Sequence, residues 1–230
     1  MLITSAVLTD ATGTRRGCAR IENGVFTEFG ETLEAREGEE VFDAHGKTLM
    51  PAFLDLHTHF RTPGFEYKET VETGSRAAAR GGYTMVNCMA NTKPVCSSAA
   101  IAQSVMDEAK RVGLCDVNQC VSITKDFDGE TISHLRALPK NIRFISEDGK
   151  GVRSSKVMFD AMCTAAHKGL TVMSHAEDMD LSPIDYRLAE NLETARNLYI
   201  AQSTGARLHM CHVSTKEALW DILEAKRRGV

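Results

Sequence analysis

The chain has 230 residues, 43% of them hydrophobic and 25% charged, and a net charge of −4 spread over both signs. That length can bury a substantial core in one large or two small domains, and the charge balance leaves no nucleic-acid footprint. No apolar run approaches the ~20 residues that span a membrane, and Met1 to Asp10 lacks the basic start and apolar centre of a signal peptide. A cytoplasmic protein with neither nucleic-acid nor membrane partners is expected. The seven cysteines form no Cys-x-x-Cys, and several fall in apolar strand-like runs. They read as reduced, small apolar residues, which makes a Cys-ligated metal site improbable.

In chain order, residues 2–9 and 18–29 read as short strands, with Asn23-Gly24 as a hairpin turn. A further short strand is predicted around Glu40–Phe42, before the turn Asp43-Ala44-His45-Gly46. Residues 1–48 are therefore expected to form a small β-sandwich-like module, too small for a core of its own.

From Lys47 the pattern alternates regularly. Strand-like runs fall near 49–57, 83–89, 114–123, 141–146, 170–175 and 206–212, and helix-like stretches near 67–80, 98–112, 130–138, 154–168, 185–203 and 215–228. Ser97 or Ser98 suits an N-cap before the second helix, and Ser214 or Thr215 one before the last. Gly81-Gly82, Gly113, Gly169 and Gly205 stand where helices should stop. Six βα units in sequence argue for a parallel sheet wrapped by helices. An open doubly wound sheet and a (β/α)₈ barrel both fit, but no Gly-x-Gly-x-x-Gly or phosphate loop supports the nucleotide-binding version. A barrel has eight such units in about 250 residues, so residues 49–230 are expected to be an incomplete TIM barrel, cut off after its sixth unit.

In either architecture functional side chains gather at the carboxyl ends of the strands. The first predicted strand ends in Asp55-Leu56-His57-Thr58-His59-Phe60-Arg61, where alternation turns His57 and His59 to one face. The second ends near Asn91-Thr92, the fourth at Glu147-Asp148-Gly149, the fifth at His175 with Glu177-Asp178 following, and the sixth at Cys211-His212. Four of the eight histidines and one aspartate can thus meet at one centre. Imidazole and carboxylate donors without thiolate suit zinc or another borderline divalent ion, one or two in number. By parity His209 is expected to face the helices, and His45, His134 and His167 to be packing or surface residues. Glu147 and Asp178 fit capping or solvated roles as well as chemical ones.

The motifs from Asp55 to Gly64, Tyr67-Lys68-Glu69-Thr70, residues 74–84 and Met89-Ala90-Asn91-Thr92 resemble the dihydroorotases of the amidohydrolase superfamily. So do Glu147-Asp148-Gly149, His175-Ala176-Glu177-Asp178 and residues 209–215, in order along nearly the whole chain. The resemblance implies an α/β barrel hydrolase of de novo pyrimidine biosynthesis that interconverts L-dihydroorotate and N-carbamoyl-L-aspartate with zinc. It implies His57 and His59 on one ion, His175 and His212 on a second, Asp148 bridging both, and Arg61 and Asn91 on the substrate carboxylate. It also implies a general-base Asp on an eighth strand, expected beyond Val230, so that residues 1–230 alone are expected to be inactive. Homodimerisation, or a complex with aspartate transcarbamoylase, is the partnership the family suggests. Departures are Ala90 where proline is usual, Ala52 where glycine is usual, and a short interval from His175 to His212. A hydantoinase- or allantoinase-like enzyme, or a non-catalytic partner of aspartate transcarbamoylase, are the competing readings. Lys68-Glu69 and Asn91-Thr92 favour dihydroorotase over the first, and the intact donor set argues against the second.

Overall fold

Asn23 and Gly24 both take positive φ, 52° and 77°, the backbone of a two-residue hairpin turn whose twist matches its strands. They join β2 (Gly13–Glu22) to β3 (Val25–Gly30). The computed structural model describes residues 1–230 and divides into two compact units, Met1–Phe53 and Leu54–Val230. In the first unit β1 (Leu2–Asp10) pairs antiparallel with β2 and parallel with both β4 (Val41–Asp43) and β5 (Thr48–Leu49). One strand serves three partners because its register shifts between Ile3 and Ala6, at Ser5 with φ 54°. The expected sandwich is therefore a single sheet, in the order β3-β2-β1-β4 with β5 also on β1. It does have a small core of its own, formed by Ile3, Ala6, Leu8, Ala19 and Ala44.

The second unit follows the predicted alternation. Its strands are β6 (Phe53–Thr58), β7 (Tyr83–Cys88), β8 (Asp116–Gln119), β9 (Val121–Ser122), β10 (Phe144–Ser146), β11 (Thr171–Ser174) and β12 (Arg207–Met210). β8 and β9 are one predicted strand interrupted at Cys120. The hydrogen-bonded orders are β6-β7-β8 and β9-β10-β11-β12, with parallel pairing from β7 to β8 and from β9 through β12. The helices are α1 (Val71–Arg80), α2 (Ala99–Val112), α3 (Ser155–Lys168), α4 (Tyr186–Thr204) and α5 (Lys216–Arg227).

Local chemistry explains these boundaries. Thr70, Ser98, Ser154, Asp185 and Thr215 each accept a backbone N–H of the first turn, satisfying donors that the helix itself leaves unpaired. The helix predicted at 130–138 is instead a short 3-10 turn, Ser133–Ala137. Pro139 disfavours helical backbone at the residue before it, and Leu138 accordingly turns extended, at φ −63° and ψ 131°. In the main core Val121, Ile145 and Val172, all fully buried, pack with Ala161, Met162 and Ala165 of α3 and Ala201 of α4. Small helix residues let the sheet approach closely, and each large strand side chain stabilises the fold by about 1.5–3 kcal/mol. This core carries the strands whose ends bear the polar residues.

Candidate metal centre

His57 stands on β6 and His59 just beyond it, while Asp148 lies two residues past β10. His175 directly follows β11, and His212 sits two residues past β12 with φ 34°. The fold brings all five to one place. His57 Nε2 is 3.2 Å, His175 Nδ1 3.4 Å and His212 Nε2 3.5 Å from Asp148 Oδ1, and His59 Nε2 is 3.6 Å from Oδ2. The imidazole rings are neighbours as well, with centroids 5.1 Å apart for His57 and His59 and 4.5 Å for His175 and His212.

These separations suit ion coordination better than direct hydrogen bonding. Two donors on a tetrahedral zinc, each about 2.0–2.1 Å from the ion, sit roughly 3.3 Å from one another, whereas a charge-assisted N–H···O bond closes to about 2.8 Å. The outer nitrogens point the same way. His59 Nδ1 lies 3.0 Å from Asn91 Oδ1, and His175 Nε2 lies 2.8 Å from Glu177 Oε2. Both acceptors take a proton, which leaves His59 Nε2 and His175 Nδ1 as lone pairs facing a carboxylate. Gly149 N, donating to His175 Nδ1 at 3.4 Å, agrees with that tautomer. Lone pairs aimed at a carboxylate repel unless a cation lies between them, so the residues fit a divalent ion. One donor atom each from His57, Asp148 and His212 lies within 4.8 Å of the others.

The electrostatics are those of a shared charge. Burial raises the Asp148 carboxyl, but the imidazoles of His175, His212 and His57 around it outweigh burial and hold the group well below the usual range. Burial lowers His59, only partly offset by Asn91 and Asp148. Burial also opposes charge on His175, but Asp148 and Glu177 prevail and raise it.

Asn91 brackets the centre. Its Nδ2 donates to Asp148 Oδ2 at 2.9 Å while its Oδ1 also receives Arg61 Nη1 at 3.5 Å. Arg61 is thus chained to the His–Asp cluster through one nitrogen, and its other guanidinium N–H groups make no hydrogen bond within the chain. Glu177 is the residue the strand-end reading left unassigned, and a carboxylate two places after a strand-end histidine was its only signal. Glu147, 2% exposed, accepts the Thr124 N–H at 2.9 Å and the Thr124 hydroxyl, so it is a clamp on the preceding loop. Asp178 caps its own turn by accepting from Asp180 N and Leu181 N. His134 bonds Ser122 O, the packing role expected of it.

His209 is placed differently from expectation. It pairs in register with Met173, on the same face as His175, and its pKa is lowered by burial and, to a smaller extent, by the charge of His57. Ser174, on the opposite face, bonds α4 through Asn197. Parity counted back from His212 misleads because β12 ends at Met210, and the positive φ at His212 breaks the alternation.

Residues 46–184 match the Dihydro-orotase-like family profile. The chain belongs to that family. It is 46% identical to the dihydroorotase of Clostridium botulinum (strain Eklund 17B / Type B) over 231 residues, covering 100% of this chain and 58% of that protein. Among solved structures it resembles the L-hydantoinase (dihydropyrimidinase) from Arthrobacter aurescens, with a TM-score of 0.82 at 18% identity, over 99% of this chain and 56% of that one. The D-hydantoinase (dihydropyrimidinase) from Thermus sp. gives a TM-score of 0.76 at 28% identity, over 100% of this chain and 56% of that one. This dihydroorotase-like chain therefore spans a little over half the length of such relatives, and its βα units have the amidohydrolase barrel fold. Dihydroorotases and hydantoinases are metal-dependent amidohydrolases, in keeping with the donor cluster at its strand ends. All seven cysteines are free, five of them buried, and burial pushes the Cys88 and Cys211 thiols up to about 12. No helix is long and apolar enough to cross a membrane.

Proposed function

We propose that the protein is a dihydroorotase, hydrolysing the ring amide of L-dihydroorotate reversibly to N-carbamoyl-L-aspartate. The observation that carries this reading is the convergence of four imidazoles on the single carboxylate of Asp148, with Arg61 linked to it through Asn91. His57 and His59 would hold one zinc ion and His175 and His212 a second, with Asp148 shared between them. When bound, such ions polarise a carbonyl and lower the pKa of water.

The chain's own side chains supply the rest. Arg61 offers its planar fork to the substrate carboxylate, which it can bind by two parallel hydrogen bonds. Asn91 orients both Arg61 and His59 from one amide. Glu177 retains the proton on His175 Nε2 and so keeps Nδ1 available as a donor to metal. Glu147 and Asn91 hold the segment around Asp148 from either side.

The test is substrate preference of the full-length protein in the presence of zinc, with ring opening of dihydroorotate, hydantoin and allantoin compared by product formation. Turnover of dihydroorotate with little of the other two is expected. Preference for hydantoin or allantoin would reassign the substrate, and intact zinc binding with no turnover of any of the three would favour a non-catalytic partner role.

A further inference from the structure

Between His175 and His212 the chain runs through α4, and two carboxylates one turn apart on this helix reach the two loops that carry those histidines. Glu190 Oε1 accepts Ser214 N at 2.8 Å and Thr215 N at 3.0 Å, and its Oε2 accepts the Ser214 hydroxyl. These bonds pin the segment immediately after His212, whose φ of 34° is a conformation that side-chain-bearing residues seldom hold unaided.

Glu193 packs against the other loop. It is 2% exposed, its Oε1 lies 2.7 Å from Arg196 Nη2, and the backbone amide of Glu177 faces its carboxylate. One turn on, Asn197 Nδ2 donates to Ser174 Oγ at 2.9 Å, next to His175. Close fit depends on Gly151, where a Cβ would overlap both Glu193 Oε2 and the Glu177 carbonyl oxygen. Gly151 lies three residues after Asp148, so Glu193 sits where the Asp148 and His175 loops meet.

Stability alone is a weak reason for such a residue, because a buried Glu–Arg pair can often be replaced by apolar groups at little cost. Neither carboxylate touches a histidine of the cluster, and neither bonds to residues 55–61. We infer that Glu190 and Glu193 are positioning residues that set the spacing of His175 and His212, and thereby control the second ion far more than the first. This rests on the metal-centre reading above.

The experiment follows the imidazole ¹⁵N resonances of His57, His59, His175 and His212 during zinc titration, with metal-free circular dichroism as the folding control. In Glu190→Ala and Glu193→Ala, His175 and His212 should respond only at about 10–100-fold higher zinc, while the midpoints of His57 and His59 move much less. Glu190→Gln and Glu193→Gln keep a carbonyl acceptor in place and should restore most of the affinity. If all four histidines weaken together in the alanine variants, or none does, the inference fails while the metal-centre reading stands. A wild-type protein whose His175 and His212 never respond to zinc overturns both. Should Glu193→Ala not fold, half-buried Glu190→Ala decides the matter alone.

Discussion

Arg61 and Glu193 show how much one side chain can carry in this protein. Arg61 spends a single hydrogen bond on Asn91, which leaves most of its guanidinium for a ligand. Hydrogen bonds to charged groups contribute about 1.5–3 kcal/mol each. In the full-length protein, Arg61→Met is therefore expected to lower kcat/KM for dihydroorotate by on the order of 10–100-fold, mainly through KM, with zinc stoichiometry unchanged. Steady-state kinetics beside metal analysis checks this. Glu193 makes a pH prediction. Burial raises its carboxyl to about 7, from about 4.5 for a glutamate in water, despite Arg196. Between those values the folded protein keeps a proton that the unfolded chain has released. This contribution to stability is full below about 4.5 and falls as pH rises to about 7. Glu193→Gln should flatten the metal-free stability profile across that window by on the order of 2–3 kcal/mol, measured by urea denaturation at several pH values.

At the scale of an element, the helices are specified by their ends. Ser98 accepts Ile101 N at 3.3 Å and Gly113 closes α2 in the left-handed region at φ 69°. Ser98→Ala should cost about 1 kcal/mol as a lower urea midpoint. The zinc affinity should not change, since α2 supplies no donor to the cluster. The stretch after β9 is the contrasting case. Its periodicity is helical, but Pro139 stops it within five residues at Ser133–Ala137, and only a 3-10 turn results. The loop before it is held instead by Glu147 through Thr124.

For the whole molecule, the candidate metal centre ties together segments from residue 57 to residue 212, and ions that bind only the folded state stabilise it by mass action. Zinc at about 100 times its dissociation constant is worth about 2.7 kcal/mol per ion. The wild-type Tm should therefore rise with zinc. In Asp148→Asn, which removes the charge that all four histidines share, most of that rise should vanish. Scanning calorimetry with and without a chelator measures both. A zinc-induced rise in Asp148→Asn equal to that of wild type would place the ion elsewhere.

Much of this was legible in one dimension. Alternation of strand and helix patterns, helix-stopping glycines and polar residues at strand ends are local properties, written in consecutive residues. They predicted the six βα units, and the five donors His57, His59, Asp148, His175 and His212 that the fold brings together. Three-dimensional contacts decided the rest. His209 turned to the face opposite the one parity assigned, because a single positive φ at His212 is invisible in residue identity. Glu177 became the partner of His175, Glu190 took hold of the loop after His212 and Glu193 packed against the loop after His175, because those contacts depend on where α4 comes to lie against β11 and β12. Periodicity reports which way a side chain points along its own element, whereas hydrogen-bond partners across elements are set by packing, which no local pattern encodes.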